Sequence, residues 1–218
     1  MKRLLTAILA ITMILATFIT APALAETTNN DLVNKLVVLP TGDYNTKEAN
    51  AMMDRLAKIP APLLNKLVNK NLKVKLVNGQ ITDEPEFAQY KGVTPRGWEN
   101  TGLTWDDVPG VSTNNVIVRI GYSKKGHGHN CQNLELHETM HAVDRMALNE
   151  ISATAEFKEL WKKEAKINYD GDGYVSVYPT EYFAEAASLY LLNDKTREGL
   201  KNDMPLTYDF MDKLFTNI

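Results

Sequence analysis

The sequence has little of what marks disulfide-rich, nucleic-acid-binding or membrane-spanning proteins. Cys131 is the single cysteine, so no disulfide can form within the chain. With 24 basic and 27 acidic residues, the formal net charge is −3, which disfavours nucleic acids and anionic membrane surfaces as partners. After the first 25 residues, no apolar run is long enough to cross a bilayer. We therefore expect the fold to be stabilised by packing and by any metal that it binds.

The first residues have the pattern of a secretory signal peptide. A basic start is followed by an almost unbroken apolar run from Leu4 to Ile19, and Ala23-Leu24-Ala25 then offers small residues for cleavage. We expect residues 1–25 to be removed, and residues 26–218 to form one secreted, extracellular domain. A single membrane anchor is the alternative, which the shortness of the apolar run and the missing stop-transfer charges disfavour.

One stretch carries a recognisable chemistry, the His-Glu-x-x-His pattern of His137, Glu138 and His141. No Gly or Pro interrupts the surrounding Asn133–Asp144, which predicts a helix. Residues four apart lie one turn apart on the same helix face, so His137 and His141 can bind one cation. Glu138 is rotated away from this pair and suits the general base of a zinc peptidase. An amphipathic helix with two surface histidines is the alternative.

A catalytic zinc needs a third protein ligand, and the sequence offers Asp144, Glu181 and Glu185. Asp144 follows on the motif helix itself, and one helix cannot easily surround a tetrahedral ion with three ligands. A second predicted helix, Thr180–Leu192, carries the other two carboxylates one turn apart. One of these could bind metal while the other supports a ligand by a hydrogen bond. A solvent-exposed acidic pair is the alternative.

Three residues before the motif could also bind metal. His127 and His129 lie two apart in a basic loop, a spacing that suits extended backbone, and no further ligands accompany them. Cys131 lies six residues before His137, where a zinc thiolate is conceivable. We favour structural roles for all three residues.

Tyr174 precedes Glu181 by seven residues, and Glu181 begins the segment Glu-Tyr-Phe-Ala-Glu-Ala. This segment resembles the catalytic segment of anthrax lethal factor and its relatives. Within that group, a secreted single-domain chain of this length is similar to the Pro-Pro endopeptidases of Gram-positive bacteria. The resemblance implies one zinc ion per chain, held by His137, His141 and Glu181 in a gluzincin-like arrangement, with Glu138 as the general base.

The same resemblance implies roles for the other site residues. Tyr174 would stabilise the oxyanion, and Glu185 would orient a ligand from behind. Trp98 would form an aromatic wall beside the substrate prolines, with further substrate contacts at Arg96 and at Asn115, in a loop where members differ in the residues they prefer around the bond. The implied enzyme is a monomer that cuts between two prolines in proline-rich segments of extracellular or cell-surface proteins.

The expected fold is α/β (α+β) and zincin-like. A small sheet would contain Leu72–Leu76 and Val116–Tyr122, the active-site helix would lie beneath it, and the C-terminal lobe would be helical. Asn78-Gly79 predicts a hairpin after the first strand, and a substrate peptide would lie extended along a sheet edge.

Two other functions stay open on the sequence alone. One is a zinc endopeptidase of different or broad specificity, and the other is a non-catalytic secreted binding protein with a structural zinc. Glu138 and Tyr174 argue against the second, because neither residue is needed merely to hold a metal.

Overall fold

The computed structural model describes residues 28–95, 98–171 and 173–218. The predicted signal peptide at residues 1–25 and the predicted substrate contact Arg96 lie outside the described residues. Across the described ranges, no helix combines the length and the apolar character that a membrane span requires.

Four short strands form one mixed sheet in the order β1-β2-β4-β3. The strands are β1 (Val37–Val38), β2 (Val74–Val77), β3 (Gly110–Ser112) and β4 (Val116–Arg119). Strands β1, β2 and β4 run parallel, whereas β3 pairs antiparallel with β4 and forms an edge of the sheet. The valines of the two central strands suit this position because β-branched side chains pack well on a pleated, buried surface.

The hairpin predicted at Asn78-Gly79 is wrong. The strand before it, β2, pairs in parallel with β1 and β4, and the chain continues into a 3-10 turn at Ile81–Asp83. Gly79 is not among the glycines with positive φ, which an Asn-Gly hairpin turn requires. The side chain of Asp83 instead accepts a hydrogen bond from the Gln80 N–H at 3.0 Å and closes the turn locally.

Helices outweigh strands in the described part of the chain. They are α1 (Asn29–Leu36), α2 (Thr46–Leu56), α3 (Ala61–Asn69), α4 (Leu134–Ala147), α5 (Ala155–Asn168), α6 (Pro179–Leu192), α7 (Asp194–Asp203) and α8 (Pro205–Thr216). Proline opens α6 and α8, because its fixed φ fits a first helical turn and its missing N–H has no partner to lose there. The α/β zincin-like fold expected from the sequence is thus confirmed, with a helical C-terminal lobe.

The pairing of α4 with α6 positions the site. Helix α4 contacts β3 and β4 on one side and packs along α6 on the other. Apolar side chains of both helices, such as Leu136, Met140 and Phe183, are fully buried in this packing. Helix α6 is apolar around almost its whole circumference, as expected of a buried helix. It therefore carries its few polar side chains into the interior, against the motif helix.

A buried carboxylate joins the helices of the C-terminal lobe. Glu164 of α5 accepts hydrogen bonds from the N–H groups of Leu206 and Thr207, both at 2.9 Å, and from the Thr207 hydroxyl at 2.6 Å. The Tyr182 hydroxyl of α6 is 2.7 Å from the same hydroxyl oxygen. Because the first N–H groups of a helix lack partners within it, Glu164 caps α8 from a neighbouring helix.

Glu164→Ala should lower the free energy of unfolding by about 2–3 kcal/mol, since it leaves the buried Thr207 N–H without a partner. Glu159→Ala is a matched control on the same helix, because Glu159 is exposed and pairs only with Lys162. Its effect should stay below about 0.5 kcal/mol. Urea unfolding followed by circular dichroism measures both, and equal losses would contradict the capping role.

Candidate active site

A cavity of about 890 Å³ opens beside the motif helix. Its walls come from α4, the edge strand β3, the start of α6 and the segments that precede β3 and α6. Trp98, Leu103 and Trp105 give it an apolar side. The cavity is therefore bordered by the backbone edge of β3, by the polar face of α4 and by an apolar wall.

Two imidazoles and a carboxylate converge in this cavity. Glu181, in the first turn of α6, has Oε2 at 3.2 Å from His137 Nε2 and 3.3 Å from His141 Nε2. One donor atom from each of the three residues lies within 4.8 Å of the others. Two imidazole nitrogens and one carboxylate oxygen are the donor set of many catalytic zinc sites. The structure thus brings together the three residues that the sequence singled out as candidate ligands.

Glu185, one turn further along α6, contacts His137 from the opposite side. Its Oε2 accepts from His137 Nδ1 at 3.2 Å, and its Oε1 accepts from the Gln132 N–H at 2.9 Å. A hydrogen bond at Nδ1 fixes the tautomer and the orientation of the ring, so that Nε2 faces the cavity. The spacing of four residues on α6 therefore puts one carboxylate beside the donor atoms and the other behind them.

The electrostatics of the cluster suit a cation. Burial alone lowers the pKa of His137, but hydrogen bonds with Glu181 and Glu185 outweigh it and raise the pKa to about 10. Burial would raise the pKa of Glu181, yet its contacts with His137 and His141 bring it far below the usual range. A proton and a metal ion thus compete for the same negatively charged site. The donor atoms present there fit a divalent metal.

Glu138 lines the same cavity and is the group best placed to move a proton. Burial raises the pKa of its carboxyl, although the two histidines act in the opposite direction. Among the described residues, its carboxylate has no hydrogen-bond partner, which leaves it available to a substrate or a water molecule.

The edge strand passes close over Glu138. A Cβ atom added at Gly110 would lie 3.2 Å from Glu138 Cγ and 3.1 Å from two side-chain atoms of Leu134. Any larger residue would require Leu134 and Glu138 to shift by a few tenths of an ångström, so glycine suits this close contact. Gly110 was not predicted from the sequence, because it begins the three-residue strand β3, which is too short to show a period.

The predicted substrate contacts have different locations. Trp98 is partly buried, lines the cavity, and is held in a turn in which its N–H donates to the Pro95 carbonyl at 3.0 Å. Tyr174 also lines the cavity and is 54% exposed. Asn115 is not brought to the cavity. Its amide accepts from the Lys73 N–H at 3.1 Å and donates to Glu86 at 3.5 Å, so it connects neighbouring segments beside β2 and β4.

Asp144, the alternative third ligand, does not belong to the donor group that His137, His141 and Glu181 form. Both of its carboxylate oxygens accept hydrogen bonds from Ser152, one from the N–H at 3.1 Å and one from the hydroxyl. Asp144 therefore fixes the 3-10 turn Ile151–Ala153 against the end of the motif helix.

His129 and Cys131 hold the loop before α4. His129 Nε2 donates to the Tyr122 carbonyl at 2.6 Å, which leaves Nδ1 to accept from the Cys131 thiol at 2.9 Å. The Cys131 sulfur also lies near His137 and Glu185, but burial and the surrounding carboxylates raise the pKa of the thiol. A protonated thiol is a poor metal ligand, which agrees with the structural role expected for this cysteine.

A His-Glu-x-x-His helix under the edge of a small mixed sheet, with a glutamate from a second helix, defines the zincin-like class of metallopeptidases. The family model described as "Anthrax toxin lethal factor, N- and C-terminal domain" matches residues 24–214. The chain belongs to this family and is a metalloendopeptidase, so the resemblance seen in the sequence is confirmed.

Curated relatives and a solved structure agree with this assignment. A Pro-Pro endopeptidase of Paenibacillus alvei is 61% identical over 216 residues, 99% of this chain and 98% of the relative. A Pro-Pro endopeptidase of Clostridioides difficile is 48% identical over 215 residues, 98% and 97% of the two chains. The solved structure of a Pro-Pro endopeptidase from Paenibacillus alvei has a TM-score of 0.83 at 65% identity, covering 84% of this chain and all of that one (100%).

Cys131 should be chemically quiet although it lines the cavity. Since its raised pKa keeps the thiolate scarce, we expect it to react with Ellman's reagent at neutral pH at least about tenfold more slowly than in the chain unfolded in guanidinium. The absorbance of the released thiol product gives both rates. Equal rates would show that the carboxylates around Cys131 do not act as described.

Proposed function

We propose that the chain is a secreted zinc endopeptidase that hydrolyses the bond between two prolines in proline-rich segments of extracellular or cell-surface proteins. The observation that carries the proposal is the meeting of His137, His141 and Glu181 within 4.8 Å, in a cavity that also holds Glu138 and runs under a strand edge. The names of the two curated relatives support the preference for Pro-Pro bonds.

In this proposal one zinc ion per chain is held by Nε2 of His137, Nε2 of His141 and a carboxylate oxygen of Glu181. When bound, zinc supplies Lewis acidity toward the scissile carbonyl and lowers the pKa of a water molecule. Glu185 keeps the His137 ring oriented through its 3.2 Å contact with Nδ1.

Glu138 and Tyr174 carry the proton steps. The Glu138 carboxylate takes a proton from the attacking water and later gives it to the nitrogen of the leaving proline. A raised pKa favours this double role, because the acid form must persist long enough to protonate the amine. The Tyr174 hydroxyl, on the cavity wall, donates a hydrogen bond to the oxyanion that develops on the carbonyl.

The edge strand β3 offers the substrate backbone a place to pair. The Pro109 carbonyl accepts from the Arg119 N–H of β4 at 2.8 Å. Because backbone groups of successive strand residues point to opposite edges, those of Gly110 and Ser112 face away from β4 and toward the free edge. An extended peptide can add there as a fifth strand, directly over Glu138.

Proline-rich peptides suit this arrangement in three ways. The proline after the scissile bond has no N–H, so it makes no demand on the sheet edge. Stiff chains lose little conformational entropy on docking. The proline rings can also pack against Trp98 and the neighbouring apolar wall.

Two variants separate the general base from the metal ligands. Glu138→Gln should abolish peptide cleavage and retain the zinc of the wild type, since this carboxylate moves a proton and binds no metal. Glu181→Ala should lose zinc and activity together, because it removes one of three donors. Elemental analysis of dialysed protein, beside a peptide assay, distinguishes them. Zinc loss in Glu138→Gln, or zinc retention in Glu181→Ala, would reverse the assignment.

A third variant tests the proline preference. Trp98→Ala should lower kcat/KM on a Pro-Pro peptide at least about tenfold through loss of ring packing. Trp98→Phe, the conservative control, should keep most of the activity, and the zinc content and melting temperature of both should match the wild type.

A large fall in melting temperature for Trp98→Ala would mean that Trp98 packs the core. Efficient cleavage by the wild type of a peptide with Ala in place of both prolines would instead favour an endopeptidase of broad specificity.

A further inference from the structure

Arg145 is the only Lys or Arg among the described residues that line the active-site cavity. Its Nη2 donates to the Ser112 hydroxyl at 3.0 Å and to the Thr113 carbonyl at 2.7 Å. In the described part of the chain, no carboxylate lies within 4.0 Å of its guanidinium, and its Nε and Nη1 donate to no protein acceptor. Most N–H donors of the Arg145 guanidinium therefore stay available to a ligand.

The nearby acidic residues attract this cation without forming an ion pair with it. Both carboxylate oxygens of Asp144 are engaged by Ser152. Burial lowers the pKa of Arg145, and the attraction of Asp144, Glu138 and Glu150 does not fully compensate. The Arg145 side chain is nevertheless exposed, so a ligand carboxylate can reach the unused guanidinium N–H groups and accept from two of them at once.

The position of Arg145 along the cleft determines where the carboxylate of a bound substrate would lie. Arg145 follows Glu138 by two helical turns, or about 10 Å along α4, which equals about three residues of extended chain. Strand β3 runs in the same direction, since Gly110 lies over Glu138 and the Ser112 hydroxyl contacts Arg145.

The direction of the substrate follows from the strand edge. Antiparallel pairing is the commoner and slightly more stable arrangement for an added strand. A peptide that pairs antiparallel with β3 passes Arg145 before it reaches Glu138. The residues on the N-terminal side of the scissile bond are then the ones next to Arg145.

We propose that Arg145 is a specificity-determining residue that selects an acidic side chain about three residues N-terminal to the scissile bond. The inference rests on the proposed endopeptidase function and extends it, because it gives the substrate a charge requirement beyond its prolines. Substrates would be proline-rich segments with Asp or Glu two residues before the first proline of the Pro-Pro pair.

A matched peptide pair tests this, with Glu or Gln at the third position before the scissile bond and the same Pro-Pro core. For the zinc-loaded wild type, the ratio of kcat/KM for Glu over Gln should be about three to five at low salt, the range of a partly exposed ion pair, and should fall as salt rises. Arg145→Gln should bring the ratio to about one, and Arg145→Glu should favour a Lys peptide at the same position. The ratio separates charge recognition from general damage to the loop, because such damage lowers kcat/KM for both peptides equally.

Lys162→Gln is the control for net charge, since it removes the same charge from an exposed site on α5 outside the cavity lining. The ratio of kcat/KM for the Glu peptide over the Gln peptide should be the same in Lys162→Gln as in the wild type. A wild-type ratio of one, a preference only on the C-terminal side, or an unchanged ratio in Arg145→Gln would overturn the inference while leaving Pro-Pro cleavage intact. Failure of every peptide to be cut between the prolines would overturn the proposed function itself, and the inference with it.

Discussion

Two glutamates of a buried helix meet two histidines of its neighbour, and the rest of the site depends on this contact. Glu181 and Glu185 lie four residues apart on α6, so both point toward α4, one at the Nε2 atoms and one behind His137. Buried charges are costly without partners, and each of these groups supplies the other's partner. The packing of α4 against α6 therefore also brings the donor groups together, and a bound metal would stabilise the same interface.

The second constraint is the closeness of the sheet edge to the motif helix. Gly110 allows β3 to pass over Glu138 without a side chain between them, which places the free edge of the strand beside the group proposed as the base. The helix and the strand then run alongside each other as far as Arg145 and Ser112. Distance along α4 therefore corresponds to position along an extended peptide bound in the cleft.

The parts of the fold that could be predicted from the sequence are those specified by local pattern. The motif helix and the helix over Thr180–Leu192 were predicted from uninterrupted runs of helix-compatible residues. Those residues left Asp144, Glu181 and Glu185 open as the third ligand, and only the resemblance selected Glu181. Tyr174 has no such signal and was identified only by resemblance.

What was missed depends on pairing between segments that no local pattern reveals. Strand β3 has three residues, too few for a period, and it exists because β4 pairs with it. The hairpin was wrong because β2 finds its partners far along the chain, in β1 and β4. Asn115 was implied as a substrate contact by the resemblance alone, and the hydrogen bonds of its amide to Lys73 and Glu86 could not be read from the sequence.

The most direct test of the account is to map the cleavage site and the zinc requirement in one experiment. The wild-type chain from residue 26 to residue 218 is incubated with a peptide that has one Pro-Pro bond, before and after metal removal, and the products are identified by mass spectrometry. The account predicts a single cut between the two prolines, lost on chelation and restored by one equivalent of zinc per chain. Cleavage at other bonds, or full activity in metal-free protein, would contradict it.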